Sequence, residues 1–337
     1  MKKVLRLGLD VGSTTIKLVI LDSKDEIIYS RYQRHYSDIK KSVTGIINSA
    51  YECFKNENIS VILTGSGGIS VAQWLGLPFI QEVIAATNAI EKIAPQTDVI
   101  IELGGEDAKI TYFDGGIDQR MNGTCAGGTG AFIDQMASLL QTNADGLNEY
   151  AKNYKVIYPI AARCGVFAKT DIQPLLNEGA AKEDIAVSVF QAVVNQTISG
   201  LACGRPIRGN VAFLGGPLYF LSELRKRFVE TLDLQPQNII FPDNSQYLVA
   251  IGATYSCNTV EIISFDSLKE KLSNIQSDFI VEVERLSPLF EKNDEIEKFK
   301  KRHSSHITEK KDIEDYEGDC YLGIEAGSTT TKIALID

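Results

Sequence analysis

Apolar and polar positions alternate at the start of the chain and then give way to a turn. Residues 5–9 carry leucine at every second position and lead into Asp10, and a second apolar stretch runs from Ile16 to Leu21. Between them, Gly12-Ser13-Thr14-Thr15 is small and polar. This pattern predicts a β-hairpin with glycine and hydroxyl side chains at its tip.

Other stretches predict the remaining elements. Apolar residues recur at helical spacing over 39–54, which predicts an amphipathic helix. The other predicted elements are strands at 61–63, 99–103, 109–113 and 211–214 and helices at 222–228 and 247–256. Strand 99–103 is followed by Gly104-Gly105, Asp107 and Lys109, so it forms a second hairpin with an acid, a glycine turn and a lysine. Two such hairpins predict two related lobes that face each other across a nucleotide cleft.

The first hairpin sequence recurs near the end of the chain. Residues 7–22 and 322–337 are identical at eight of 16 positions. We expect one complete unit, with lobe I at 1–94 and lobe II at 95–262, although the helix near 247–256 could return to lobe I. A charged linker would span 263–319, and 320–337 would open a second, truncated unit. The chain would then be a fragment or truncated product of a longer protein.

Composition narrows the class of protein. The 337 residues suffice for two or three domains, and the net charge of −10 argues against a nucleic-acid surface. No apolar run approaches the ~18 residues of a membrane helix, and no signal sequence precedes the first strand. Six cysteines without a signal sequence indicate a reducing compartment. We therefore expect a cytoplasmic protein that binds neither nucleic acid nor membrane.

The hairpin tips offer phosphate chemistry. Backbone N–H groups at a glycine turn can converge on an anion, and Lys17 could neutralise phosphate charge. Asp10 is placed to hold Mg²⁺ through water. Neither a Walker loop nor a GxGxxG motif is present. The alternative is that the segment is an ordinary tight hairpin without a phosphate-binding role. The recurrence of this sequence near the end of the chain makes that alternative less attractive.

Strand 211–214 ends at Gly215-Gly216 and leads into a helix. Such a turn can bring backbone against a flat adenine ring. A plain strand-to-helix turn explains the pattern equally well.

Two cysteines, Cys125 and Cys164, lie in glycine-containing loops before predicted helices. Because Pro174 is disfavoured inside a helix, we expect the second helix to begin near Asp171. A positive helix end favours thiolate over thiol. Two thiolates do not complete a four-thiolate site, so a cluster would require two from each chain of a symmetric dimer. A small core residue is the commoner role of a lone cysteine, and we assign it to the other four.

Several of these segments together resemble one known family. Residues 7–22, ELGGEDAKI (102–110), NGTCAGGTGAF (122–132) and FLGGPLYFL (213–221) are similar to the ATP-dependent activators of 2-hydroxyacyl-CoA dehydratases and benzoyl-CoA reductases. Those activators belong to the actin, sugar-kinase and heat-shock-chaperone ATPase superfamily. The resemblance spans about residues 4–258 and is nearest to the long form of the family, in which two activator units precede a dehydratase-like region.

The resemblance implies a fold, cofactors and partners. The fold would be α/β, a two-lobed actin-like ATPase with duplicated ribonuclease-H-like lobes. The cofactors would be ATP or ADP, Mg²⁺ and one 4Fe–4S cluster per homodimer. Reduced ferredoxin or flavodoxin would supply electrons to a dehydratase or reductase partner, which a downstream region could contain.

The resemblance also implies roles for individual residues. Asp10, Glu102 and Asp107 would be catalytic, Asp10 also ordering Mg²⁺, and which carboxylate positions the attacking water stays open. Cys125 and Cys164 would hold the cluster. The nucleotide-binding residues would be Gly12, Ser13, Thr14, Thr15, Lys17, Gly104, Gly105, Lys109, Gly127, Gly128, Thr129, Gly215 and Gly216.

Some positions depart from the shorter activators. Glu102 and Glu106 stand where Asp and Gln are usual, CAGGTG replaces CAAGTG, and the adenosine turn contains Pro217-Leu218. A small-molecule kinase on the same fold is the main alternative function. A nucleotide sensor is the third hypothesis.

Overall fold

The chain folds into two units, residues 1–275 and 276–337, which are described separately. The computed structural model describes residues 4–123, 127–161, 164–257, 260–273, 286–308, 310–327 and 330–337.

Ten strands and eleven helices are described in the first unit. The strands are β1 (Val4–Val11), β2 (Thr15–Leu21), β3 (Ile27–Arg34), β4 (Asn58–Thr64), β5 (Val99–Leu103), β6 (Ala108–Tyr112), β7 (Asp118–Met121), β8 (Val211–Leu214), β9 (Ile239–Ile240) and β10 (Ile262–Ser264). The helices are α1 (Ile39–Phe54), α2 (Gly68–Leu75), α3 (Glu82–Ile93), α4 (Gly130–Leu139), α5 (Ala144–Ala151), α6 (Gly165–Asn177), α7 (Lys182–Thr197), α8 (Gly216–Phe220), α9 (Ser222–Thr231), α10 (Leu248–Thr254) and α11 (Phe265–Ser273).

The strands form two five-stranded sheets of the same design. Their orders are β10-β4-β1-β2-β3 and β7-β6-β5-β8-β9. In each sheet three sequential strands are antiparallel, and the first of them also pairs in parallel with the fourth, β1 with β4 and β5 with β8. Both predicted hairpins are confirmed. The fold is a duplicated α/β arrangement, since one topology occurs twice.

Helices α3 and α10 pack against each other and against both sheets. In α3, Ile90 packs with Ile100 of the second sheet, and in α10, Ala250 packs with Val19 of the first. Glycine makes the close approach possible. A Cβ atom on Gly252 would lie 1.8 Å from the carbonyl oxygen of Ala85 on α3. The helix pair is therefore a tightly packed connection between the lobes.

Helix α7 lies in the core of the second lobe. It continues into a π-helical turn, and Lys182–Ala202 is the one helix among the described residues that has the length and composition to cross a membrane. Within its most apolar window, 67% is buried inside the fold. Phe190 and Val193 are fully buried there. A helix buried in a protein core can meet the same criteria of length and composition as a membrane-spanning helix.

The prediction that the second cysteine helix begins near Asp171 is wrong. Helix α6 begins at Gly165 and contains Pro174 in its interior. Proline removes one hydrogen bond of the helix. Buried Ala168 and Ile172 lie on the same side of α6 and anchor it to the core. Packing thus outweighs the local preference. The expectation that Cys164 precedes a helix is confirmed, because it is the N-cap of α6.

The predicted linker start at residue 263 is also wrong. Strand β10 pairs with β4, and α11 buries Phe265 and Leu268 in the first lobe's core. The apolar residues of α11 recur at helical spacing, while its charged residues face solvent. Its high charge content made an amphipathic helix resemble a linker.

Among its described residues, the second unit contains one α-helix, a short 3₁₀ turn at Ile313–Asp315 and one hairpin. Helix α12 (Asn293–Ser304) has no buried residue. Strands β11 (Tyr321–Ala326) and β12 (Thr331–Ile336) pair antiparallel and are exposed throughout. In β1 and β2, the corresponding positions form the core of a sheet.

Candidate functional site

A cavity of about 540 Å³ lies between the tips of the two hairpins. The predicted site residues that line it are Asp10, Gly12, Ser13, Thr14, Thr15, Lys17, Glu102, Gly104, Gly105, Asp107, Gly215 and Gly216. Four other predicted site residues, Lys109, Gly127, Gly128 and Thr129, lie outside this lining. The two hairpins and the glycine pair at 215–216, far apart in the sequence, thus meet in one cleft.

The first hairpin presents a buried carboxylate with one oxygen in use. Asp10 lies opposite Lys17 in the strand pairing, and Lys17 Nζ donates to Asp10 Oδ2 at 2.9 Å. Burial alone would lower the pKa of Lys17, but the charge and hydrogen bond of Asp10, together with Tyr32 and Glu82, outweigh it and raise that pKa. Asp10 Oδ1 is buried and has no hydrogen-bond partner in the structure. A Cβ on Gly65, whose φ is +91°, would lie 2.5 Å from that oxygen, so glycine keeps the space open.

The second hairpin presents a buried lysine surrounded by three carboxylates. Lys109 Nζ lies 2.8 Å from Glu82 Oε1 and 3.5 Å from Glu102 Oε1, and it also pairs with Asp107. Burial alone would lower the pKa of Lys109, but Glu102, Glu82 and Asp107 raise it well above its ordinary value. The three neighbouring carboxylates therefore favour the charged form of this ammonium group.

Two of those carboxyls bind protons more tightly than usual. Burial raises the pKa of Glu82 to about 7, against the opposing charge of Lys109 and with the repulsion of Glu102. Burial likewise raises the pKa of Glu102, with Lys109 opposing it and Asp107 adding repulsion. The cleft has more acids than bases, and a bound cation would relieve their repulsion.

The two hairpin tips approach each other closely. A Cβ on Gly105 would lie 2.0 Å from Thr14 Oγ1, and a Cβ on Gly104 would lie 2.1 Å from Asp107 Oδ1. Only glycine fits these two positions without movement of a neighbour. The second tip is therefore shaped around the first tip and around its own acid.

The glycine loop at 127–129 lies outside the cavity lining and leads into α4, whose first residues bind the second hairpin. Thr129 is the buried N-cap of α4, and the N–H groups of Gly130 and Ala131 donate to the carbonyls of Gly104 and Gly105 at 3.0 and 2.7 Å. Residues 127–129 do not line the cavity, so their predicted role in nucleotide binding stays a prediction. Their position connects the second hairpin to α4.

The glycine pair at 215–216 forms another wall of the cavity. Gly215 has a φ of +90°, and a Cβ there would lie 2.1 Å from the Leu103 carbonyl oxygen. A Cβ on Gly216 would lie 2.3 Å from Tyr32 Oη. The rings of Tyr32 and Phe220 meet edge to face at 5.4 Å, and both residues line the cavity. These aromatic and glycine surfaces offer a place for a flat base.

Buried polar atoms without partners concentrate in this cleft. Six such side-chain atoms occur among the described residues, and four belong to residues that line the cavity: Asp10, Ser13, Ser245 and Gln246. An unsatisfied buried polar group costs about 1–3 kcal/mol. The concentration indicates a site built for a polar or charged ligand. These unpartnered atoms are the reason why Mg²⁺ and a nucleotide fit the residues of the cleft.

Sequence reasoning missed several lining residues. Arg34 from β3 and Asp134 from α4 form a two-pronged ion pair at 2.7 and 3.2 Å between the first sheet and α4. Other lining residues that sequence reasoning missed include Tyr32, Glu82, Phe220, Ser245 and Gln246. Of these residues, only Phe220 lies in a glycine motif, the segment 213–221. Glu82 had one usable signal, an acid in the first turn of a helix.

Of the two predicted cluster ligands, one lies within the described residues and one does not. Cys164 is half-buried at the N-terminus of α6, away from the cavity lining. Cys125 falls outside the described residues. Within the described ranges no group of three or more His, Cys, Asp or Glu side chains could hold a metal ion. The described part of one chain thus offers one candidate cluster ligand.

Two lobes of one topology, each with an acid–glycine–lysine hairpin facing a shared cleft, define the class of two-lobed actin-like ATPases. The chain belongs to the BadF/BadG/BcrA/BcrD ATPase family, whose model matches residues 7–255.

Named relatives and solved structures agree with this family. The 2-hydroxyisocaproyl-CoA dehydratase activator of Clostridioides difficile is 28% identical over 280 residues, 80% of this chain and 98% of the relative. Component A of the Acidaminococcus fermentans (R)-2-hydroxyglutaryl-CoA dehydratase matches with a TM-score of 0.64 and 26% identity, over 80% of this chain and 99% of that one. The Clostridium difficile activator of the 2-hydroxyisocaproyl-CoA dehydratase, solved with bound ADPNP, gives a TM-score of 0.63 and 27% identity over 84% and 100%. The predicted fold class and family resemblance are confirmed.

Proposed function

We propose that this chain is an ATP-hydrolysing activator that passes single electrons to a 2-hydroxyacyl-CoA dehydratase-type partner. The observation that carries the proposal is the direct backbone connection from the second hairpin of the nucleotide cleft to α4, which packs against the cysteine-bearing α6. Relatives named as dehydratase activators support it.

The nucleotide would bind between the hairpins. Backbone groups at 12–15 and 104–105 would contact the phosphates, and Lys17 would contribute positive charge. The glycine pair 215–216, with Tyr32, would take the adenosine. Asp10 would hold hydrated Mg²⁺ through its unpartnered oxygen, and a bound Mg²⁺ neutralises phosphate charge.

Hydrolysis requires a positioned water, and two carboxylates line the cavity near the second tip. The side chain of Asp107 is 31% exposed and that of Glu102 only 8%. We assign the water-positioning role to Asp107, because it is the more accessible group. Glu102 would then hold Lys109 in place.

Cys125 and Cys164 from each of two chains would hold one 4Fe–4S cluster. Cys164 suits this role, since the N–H groups of the first turn of α6 favour an anionic sulfur ligand. A bound cluster supplies one-electron transfer at low potential. Two ligands per chain imply a homodimer, and reduced ferredoxin or flavodoxin would be the donor in the cytoplasm.

Nucleotide state could reach the cysteine through contiguous packing. Gly104 and Gly105 accept from the start of α4, and Gln135 of α4 packs on Gly165, where an added Cβ would lie 2.5 Å from Gln135 Oε1. Gly165 follows Cys164 directly. Movement of the second hairpin would therefore displace the start of α6. ATP and ADP drive such a movement only if they bind the two conformations with different affinities.

Iron and acid-labile sulfide, measured in protein purified without oxygen, test the proposal. We expect about two of each per chain, as a cluster shared by two chains requires. Cys125→Ser and Cys164→Ser should lose the iron and keep ADP binding. Cys53→Ser is the matched control, because Cys53 is exposed and lies on α1.

Other outcomes are equally informative. Absence of iron after reconstitution would contradict the electron-transfer role and favour a kinase or a sensor. ATP hydrolysis that occurs only with an added acceptor would favour a kinase. Full iron content in Cys125→Ser would show that the bridging assignment is wrong.

A further inference from the structure

Gln246 lies in the nucleotide cleft, and neither the hairpin motifs nor the glycine pair accounts for it. Gln246 is among the residues that line the cavity, it is 8% exposed, and its Oε1 is buried without a hydrogen-bond partner. Ser245, its neighbour, also lines the cavity with an unpartnered hydroxyl. Unpartnered buried atoms that face a cavity point to a ligand.

The backbone around Gln246 is fixed from several sides. Ser245 begins a 3₁₀ turn that ends at Tyr247, and its N–H donates to the carbonyl of Pro242 at 3.2 Å. Asn244 adopts a left-handed φ of +61°, and the Ser245 carbonyl accepts from Gly215. The turn is thus preorganised, and it holds Gln246, whose amide oxygen has no partner, in a fixed backbone conformation.

Gln246 and Asp10 are mounted on the same rigid assembly. The turn leads directly into α10, which packs on β1, the strand that carries Asp10. Contact is tight, because a Cβ on Gly8 of β1 would lie 2.0 Å from the carbonyl oxygen of Ala250 on α10. Both residues line the same cavity, and each has an acceptor oxygen without a donor.

The chemistry of the ligand limits what can satisfy these oxygens. Phosphate oxygens are acceptors and offer no hydrogen to the amide oxygen of Gln246. A water molecule bound to a divalent cation is a strong donor, and Mg²⁺ retains several waters when it binds. The aromatic pair Tyr32 and Phe220 already offers a surface to a base. A hydrated cation is therefore the best match.

We propose that Gln246 is a positioning residue that accepts a hydrogen bond from the hydration shell of the nucleotide-bound divalent cation, in the same cavity as Asp10. This inference rests on the proposed nucleotide site. It adds a third chain segment to the two hairpins that hold the metal–phosphate group.

Calorimetric titration of the full chain with ADP, once in MgCl₂ and once in EDTA, tests the inference. For Gln246→Leu and Gln246→Met we expect the Mg²⁺-dependent gain in affinity to fall roughly 10-fold or more, as for other outer-shell metal contacts. Their affinity in EDTA should equal that of the wild type. Gln246→Glu keeps an acceptor and should retain the Mg²⁺ dependence.

Tyr29→Phe is the matched control. It also removes a buried, unpartnered oxygen, but Tyr29 does not line the cavity, so both affinities should stay at the wild-type values. An equal loss in MgCl₂ and EDTA for the Gln246 variants would place the residue on the nucleotide and overturn the inference. Unchanged affinities would overturn it too. A wild-type chain that binds no ADP would overturn the proposed function as well.

Discussion

The two hairpins of the cleft follow one sequence pattern and differ in electrostatics. In the first, Lys17 faces one carboxylate, and Asp10 Oδ1 and Ser13 Oγ remain unpartnered. In the second, Lys109 pairs with three carboxylates, and the glycine carbonyls accept from α4. The first hairpin is open to a ligand, whereas the second is satisfied by the protein and tied to a helix. We infer that the first hairpin provides the metal-binding acid, whereas the second hairpin, besides its contact with the phosphates, transmits the nucleotide state to α4.

The largest expected effect comes from removing the second lysine. Lys109→Met leaves three acids without their buried counter-charge, so we expect a loss of about 3–5 kcal/mol in the free energy of unfolding. Lys17→Met leaves one acid and should cost about 1–3 kcal/mol. Urea unfolding at neutral pH measures both. Equal losses would contradict the electrostatic difference between the hairpins.

The pH dependence of stability isolates Glu82. Its pKa is raised to about 7 in the folded protein, so its contribution is fully present below about pH 4.5 and is lost as the pH rises through 7. The loss is at most about 3 kcal/mol, at 1.36 kcal/mol per unit. We expect Glu82→Gln to flatten the stability profile between pH 5 and 8. Glu149→Gln, at an exposed ion pair with Lys152, should leave it unchanged.

Two glycines, one at each hairpin tip, allow a matched comparison of how tightly the tips are packed. Gly105→Ala would place a methyl group against Thr14, and we expect a loss of about 1–3 kcal/mol in the free energy of unfolding. In Gly12→Ala the nearest atoms lie at 3.4 and 3.5 Å, so unfolding should change little. Comparable losses in the two variants would mean that tip contact is not what distinguishes the hairpins.

The smallest effect is expected at the ion pair that joins the two sides. Arg34 and Asp134 are partly exposed, so their coupling energy should be about 0.2–1 kcal/mol. A double-mutant cycle with Arg34→Gln and Asp134→Asn, followed by urea unfolding, measures it. Coupling near zero would show that this pair does not stabilise contact between the first sheet and α4.

Sequence patterns predicted the parts of the site that are local in the chain. Strand alternation and glycine turns were enough to place Asp10 and Lys17 on the first hairpin and Glu102 and Lys109 on the second. Glu82, Asp134 and Gln246 were missed, because they reach the cleft through α3, α4 and the turn before α10, whose packing no local pattern encodes. For the same reason, tertiary packing overrode the helix start predicted from Pro174 and the linker predicted from charge.

A crystal structure of the chain with ADPNP and Mg²⁺ tests the central claim most directly. We expect the phosphates between residues 12–15 and 104–105, with the metal beside Asp10 and the base near Tyr32. A nucleotide bound elsewhere, or hairpins that contact no phosphate, would contradict the assignment of this cleft as the ATP site.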